Sequence, residues 1–399
     1  MFPKEPLDLL ICNYVFKPLA EYKCPGQITL GLIDIGIRVG MVTLQKPELA
    51  GYRAPFPLIE ASRSELANPD FWRQQPASTV LYYFCLPAHE DILQAIKRGG
   101  KHIVIKLDSD GKMFYPAHNI TLPRFRANGA LKTLTRFIKW HIYPINKYFS
   151  NQIVRQLELA DAIIIETPQA LKSLLDSLKY WGRDSSIAAK LHQIPNPIVP
   201  ELISAEIPTN QTKGEMIACV GRWEDTAQKN TPTMLKALSA FLGQHPEYQA
   251  IIIGSGEQFI QLISSGWPIA LRQRLMITGN IEHPKVREYL AGAKIFFMPS
   301  RYEGLTIAGS EAVAMGCSIV GTPIAAVQYL ANAGASGTVA SGFNPPVLLA
   351  ALLEDAQKWQ RGEYRSEAVA TFWRNKLDRR QIAQAISKLL PISKTNANE

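Results

Sequence analysis

Short apolar runs with helix-like segments between several of them recur through the first half of the chain. They are LDLLICNYV (7–15), RVGMVTL (38–44), TVLYYFC (79–85), HIVIKLD (102–108) and DAIIIET (161–167). Runs of this length and composition predict strands covered on both faces, as in a parallel α/β sheet. The stretch KLHQIPNPIVPELISAEIP follows, with prolines at 195, 197, 200 and 208, and it can continue neither a helix nor a central strand. A second set then begins: EMIACVG (215–221), QAIIIGSG (249–256), RLMITGN (274–280), KIFFMPS (294–300) and CSIVGTP (317–323). The pattern predicts two doubly wound domains in series, 1–198 and 199–370.

A length of 399 residues suits two domains better than one core, and 47% hydrophobic with 19% charged residues is ordinary globular composition. Only the tail ISKTNANE is polar enough to be read as disordered. No apolar run reaches bilayer-spanning length, and the N-terminus carries no small-residue cleavage site, so a cytoplasmic protein is expected. Cys12, Cys24, Cys85, Cys219 and Cys317 are odd in number, scattered, and mostly set in apolar runs; they read as reduced core residues without metal-ligand spacing.

Charge changes the picture in one place. The formal net charge is +9, and residues 1–199 carry 24 Lys plus Arg against 17 Asp plus Glu, leaving 19 against 17 for the remainder. No acidic residue lies between Asp110 and Glu158, whereas Lys112, Arg124, Arg126, Lys132, Arg136, Lys139, Lys147 and Arg155 do. Within 128–153, Leu131, Leu134, Ile138, Ile142 and Ile145 share a helical stripe bordered by aromatics, and Pro144 should kink the helix. Two readings fit: a helix covering the sheet, or one lying on an anionic membrane surface, which would make the protein peripheral on the inner face. No nucleic-acid-binding module accompanies the charge.

In open α/β sheets, ligands sit beyond the carboxyl ends of the strands. One such end, GRWEDTAQKN, offers Gly221 with the cations Arg222 and Lys229, suited to a diphosphate. Another ends in Gly254, Ser255 and Gly256, but Phe259 occupies the third glycine position of a dinucleotide fingerprint, so a tight turn is the better reading. The stretch PSRYEGLTIAGSEAVAMGC places Glu303 before, and Glu311 within, a helix starting near Thr306. A helix start offers amides and positive dipole to phosphate oxygens, and carboxylates accept hydrogen bonds from vicinal hydroxyls. Hydroxyls at both ends with a diphosphate between describe a nucleotide sugar. A glycosidase pair is the competing reading, but its two carboxylates would face one bond.

The segments ADAIIIET, HQIPNP, GRWEDTAQK, IIIGSGE and ITGNIEHPKVREYLAGAKIFFMPSRYEGLTIAGSEAVAMGCSIVGTP resemble retaining glycosyltransferases of the GT-B fold, family 4, densely from about Ala160 to Thr322. The resemblance implies an α/β fold of two Rossmann-like doubly wound domains in series facing a cleft, with a C-terminal segment (371–399) whose helix returns to the first domain. It implies that Arg222 and Lys229 neutralise the donor diphosphate, that Glu311 binds the ribose, and that Glu303 binds or positions the sugar. Gly304, Leu305 and Thr306 would cradle the phosphate through their amides, Gly254 would lie near the donor, and the Gly279–Ile281 loop with Asn280 would hold the base. No metal and no cofactor are implied.

Several positions depart from the family pattern. The spacing from Arg222 to Lys229 is two residues longer than usual, I-P-N-P replaces I-P-N-G, and of a glycine-rich first loop only Gly26 in KCPGQ remains. Where the family often has histidine, Asp108 stands, followed by Asp110. Asp108 could orient the acceptor hydroxyl or accept its proton; a DxD metal site and plain turn chemistry are the alternatives. The expected activity is transfer of a sugar, with retention, from a nucleotide-sugar donor to a sugar or lipid-linked acceptor. A catalytically inactive nucleotide-sugar-binding protein and a nucleotide-sugar epimerase remain as alternatives.

Overall fold

The computed structural model describes residues 7–13, 23–44, 54–84, 89–112, 129–182 and 184–391. Cys85, Arg124, Arg126 and the tail 392–399 lie outside the described residues. The chain divides into two compact units.

The first unit is built on β1 (Leu9–Cys12), β2 (Val39–Thr43), β3 (Leu58–Glu60), β4 (Thr79–Phe84), β5 (His102–Leu107), β6 (Ala162–Ile165) and β7 (Leu191–Gln193). They form one sheet in the order β3-β2-β1-β4-β5-β6-β7, with every described pairing parallel. The order reverses direction between β1 and β4. Leu9, Leu10 and Ile11, and Ile103 to Ile105, are fully buried, because crossover helices cover both faces of a parallel sheet. Lys106 is an exception within that apolar run. Its side chain is fully buried, and Nζ meets Glu166 Oε1 at 2.9 Å, while Asn196 Nδ2 donates to the same oxygen at 2.7 Å. A buried charge requires such partners.

The second unit holds β8 (Gly214–Val220), β9 (Gln249–Ile253), β10 (Leu275–Gly279), β11 (Ala293–Met298), β12 (Ser318–Gly321) and β13 (Gly337–Val339). Their order is β10-β9-β8-β11-β12-β13, again parallel throughout, with the reversal between β8 and β11. Loops leaving the carboxyl ends of β8 and β11 therefore lie side by side at a topological switch point. Three short strands, β3, β7 and β13, were not anticipated from the sequence. Each has only three residues, too few for a period to show.

The first unit closes at Val199 and takes up the chain again at Leu377; the helix Ser366–Lys376 stays with the second unit, and Arg379–Ser387 joins the first. The crossing therefore comes at 376/377. Ala130–His141 groups with the second unit instead of the first. The helix expected to kink at Pro144 is interrupted at Ile142, which has extended geometry (φ −85, ψ 108), and Tyr143–Glu158 starts anew with Pro144 in its first turn. Of the apolar stripe, Leu131, Leu134 and Ile142 are 75%, 53% and 44% exposed, while Ile138 and Ile145 are half-buried.

The returning helix is seated on Cys24–Asp34. Ile382, Ala383 and Ile386 are buried, and Arg379 reaches Asp34 Oδ2 at 2.6 Å and Gln27 Oε1 at 3.1 Å. Gly31 permits this approach, since a β-carbon there would stand 2.6 Å from Arg379 Cγ and 2.9 Å from its carbonyl oxygen. Gly31→Val is expected to lower stability by about 1–3 kcal/mol and to expose the C-terminal helix to proteolysis, measured by denaturant melts and limited digestion. Unchanged stability would contradict this packing.

Candidate functional site

The site forms where three strand ends of the second unit are bound together. Gly221 N–H donates to Ile253 O at 3.0 Å, and Gly254 N–H donates to Gly279 O at 2.8 Å, so the ends of β8, β9 and β10 continue to pair as they leave the sheet. Gly254 has φ +116, and a β-carbon there would lie 2.0 Å from Gly221 O; no other residue fits. The tight-turn reading of GSG takes this form, with the turn approaching the neighbouring loop. Trp223 N–H and Ser255 O (2.8 Å), with Ser255 Oγ and the Glu224 carboxylate (2.8 and 2.9 Å), complete the seam.

Arg301 joins the loops that follow β8 and β11. Its Nη1 donates to the carbonyls of Thr226 and Ala227, both at 2.8 Å, and its own N–H donates to Gln228 O at 2.8 Å. The short helix Thr226–Lys229, capped by Asp225, is thereby held against the loop 299–306. Lys229 Nζ then meets Glu303 Oε1 at 2.5 Å, and Gln228 Nε2 reaches Glu303 Oε2 at 3.0 Å. Their side chains are 14% and 11% exposed, so the pair is largely shielded from solvent. Arg222 is exposed on the same loop.

Beyond Glu303 the chain passes Gly304, Leu305 and Thr306 into the helix Ile307–Ala314. Thr306 is the N-cap but makes no side-chain capping bond, so the helix start keeps the amides and positive dipole end that bind anions. The other end is held by Arg374, whose Nε donates to Ala314 O at 2.8 Å. Glu311 is 3% exposed within this helix, and its Oε1 lies 2.7 Å from His283 Nε2. The Glu311 carboxylate hydrogen-bonds His283 and so raises the imidazole's pKa above its ordinary 6.5, against the opposing effect of burial.

The second unit therefore brings together Arg222, Lys229, Gly254, Gly279, Glu303, the start of the 307–314 helix and Glu311. Asn280 is exposed beside Gly279 (φ +64). Gly26 lies buried in the first turn of Cys24–Asp34, and Asp108 and Asp110 follow β5, the first exposed and the second 8% exposed. These three belong to the first unit. Among the described residues, no three His, Cys, Asp or Glu side chains cluster as metal ligands would. His283, Gln228 and Arg301 were given no role in the sequence reading. A histidine just after a strand-end glycine loop was the available signal for His283.

Solved structures align with nearly the whole chain. Sucrose-phosphate synthase from Thermosynechococcus elongatus aligns over 96% of this chain and 98% of its own, with TM-score 0.67 and 14% identity. Anabaena HepE in complex with UDP-glucose aligns over 96% and 99%, with TM-score 0.66 and 13% identity. The fold is GT-B. By sequence, residues 214–356 match the family model described as glycosyl transferases group 1. The poly(glycerol-phosphate) alpha-glucosyltransferase of Bacillus subtilis (strain 168) is 24% identical over 210 residues, covering 52% of this chain and 28% of the relative. The lipopolysaccharide core biosynthesis mannosyltransferase LpsB of Rhizobium meliloti (strain 1021) is 26% identical over 129 residues, 31% of this chain and 36% of the relative. The chain spans about a third of the length of the curated relatives it matches.

A group whose folded pKa is raised stabilises the fold fully below its unfolded value and loses that contribution as pH rises through the folded value. The melting-temperature advantage of the wild type over His283→Gln should therefore shrink as pH rises above the ordinary imidazole value of 6.5. An advantage that stays constant or grows as pH rises would contradict the His283–Glu311 pairing.

Proposed function

We propose that this chain is a glycosyltransferase that moves a sugar from a nucleotide-sugar donor to an acceptor hydroxyl, with retention of anomeric configuration as in family 4. The observation that carries the reading is the grouping of two acids and two cations around an uncapped helix start at the β8/β11 switch point. The match of residues 214–356 to the family model supports it, since that span contains every one of these groups.

In this reading the diphosphate lies at the start of the 307–314 helix, on the amides of Gly304, Leu305 and Thr306. Arg222 and Lys229 neutralise the leaving group in the role a divalent ion takes elsewhere, so no metal or cofactor is needed. Lys229 and Glu303 neutralise each other before the donor arrives. A diphosphate draws the ammonium away, and sugar hydroxyls replace it on Glu303, so phosphate and sugar are recognised together. Glu311 takes the ribose hydroxyls, and the loop at Gly279 and Asn280 takes the base. Asp108, exposed at the end of β5, is the acceptor-side carboxylate that orients the hydroxyl or accepts its proton.

The acceptor is a sugar or lipid-linked hydroxyl. Leu131, Leu134 and Phe137 are exposed on Ala130–His141, beside the exposed Lys132, and this supports attachment of that helix to an anionic membrane surface. Among the described residues no helix is long and apolar enough to cross a membrane.

Incubation with labelled UDP-, GDP- and ADP-sugars, with and without acceptor hydroxyls, tests the reading. One donor should be consumed with sugar appearing on an acceptor; conversion of donor without acceptor, or binding without turnover, would contradict it. Glu311→Gln and Arg222→Ala should each lower kcat/KM by about 10–1000-fold, and Asp108→Ala should lower turnover. Unchanged rates in all three would remove the proposed site.

A further inference from the structure

Glu311 is a carboxylate placed almost wholly out of water, and its nearest cationic partner comes from a different strand-end loop. His283 is the first residue of the helix His283–Gly292, directly after the β10 loop, and Nε2 stands 2.7 Å from Glu311 Oε1. A helix start disfavours a cation, so this is an unfavourable place for an imidazolium. The charged groups around the ring come from three helices: Glu311 from Ile307–Ala314, Glu201 from Pro200–Ser204, and Arg287 one turn along its own helix. Of these, the two carboxylates favour the protonated ring and Arg287 opposes it. The net result is a pKa raised above the ordinary imidazole value, in keeping with a ring that donates to Glu311 through Nε2.

We propose that His283 is the positioning residue for nucleotide recognition, holding Glu311 by Oε1 so that Oε2 is presented to the ribose hydroxyls of a nucleoside diphosphate. This rests on the donor-site reading above. His283 acts through Glu311, and it fixes one carboxylate rotamer and one free oxygen. Without it the carboxylate has no fixed orientation, and the ribose loses a hydrogen bond to a charged acceptor. The diphosphate contacts at Arg222 and the 307–314 helix start do not depend on it. The inference therefore predicts a selective loss, confined to the sugar hydroxyls of the nucleotide.

Calorimetric titration of the full chain with UDP, GDP and ADP, followed by the 2′-deoxy counterpart of whichever binds, tests this. The wild type should prefer the ribonucleotide by about 10-fold, the worth of one hydrogen bond to a charged group. In His283→Ala, ribonucleotide affinity should fall by about that factor while deoxyribonucleotide affinity stays within about twofold. His283→Gln, whose amide nitrogen can still donate, should restore most of the preference. If His283→Ala does not fold, His283→Phe keeps the bulk without the donor and takes its place. A ribose preference that survives loss of the donor, or affinities for both nucleotides that fall together, would overturn the role of His283. Failure of the wild type to bind any of the three diphosphates would instead overturn the donor-site reading, and the inference with it.

Discussion

The Arg301 guanidinium is the tie on which the site depends. Its side chain, only 9% exposed, donates to the carbonyls of Thr226 and Ala227, the first of which also accepts the Asn230 N–H. Because Arg301 lies two residues before Glu303, the same bonds that hold the 226–229 helix bring Lys229 to the acid. The seam of Gly221, Gly254 and Gly279 does the same for the other loops: backbone hydrogen bonds join the strand ends, and at Gly254 the Gly221 carbonyl leaves no room for a side chain.

Electrostatically, the site is balanced by two pairs. Lys229 faces Glu303, and His283 faces Glu311, each across a short contact and each with little exposure on the acid. A buried carboxylate without a cation would be destabilising by several kcal/mol, so a site built to accept hydroxyl donors needs temporary partners for its acids. The two pairs differ in what a ligand can do to them. The Lys229 ammonium carries a charge that phosphate can attract away from Glu303. On the proposal above, the imidazole instead stays with Glu311 and orients it.

The carboxyl-end geometry was largely legible in the chain. The ten long apolar runs became β1, β2, β4 to β6 and β8 to β12, and PSRYEGLTIAGSEAVAMGC became strand end, loop and helix with Thr306 as the cap. What could not be read were pairings. Nothing in linear spacing shows that Lys229 and Glu303, 74 residues apart, are closer to each other than to solvent. His283 and Glu311 are 28 residues apart on different helices, and their meeting is set by how those helices pack. The basic helix illustrates another limit. Its stripe was visible as a period, but what each position faces depends on neighbours: Leu131 is 75% exposed, whereas Leu134 and Phe137 line a cavity with Thr226, Ala227 and Arg301.

The most direct measurement is a crystal structure of the chain with UDP, GDP or ADP at millimolar concentration. The account predicts diphosphate density at the amides of residues 304–306, the ribose against Glu311, and Lys229 turned from Glu303 to the phosphate. A nucleotide bound elsewhere, with Glu303 and Glu311 both untouched, would contradict it.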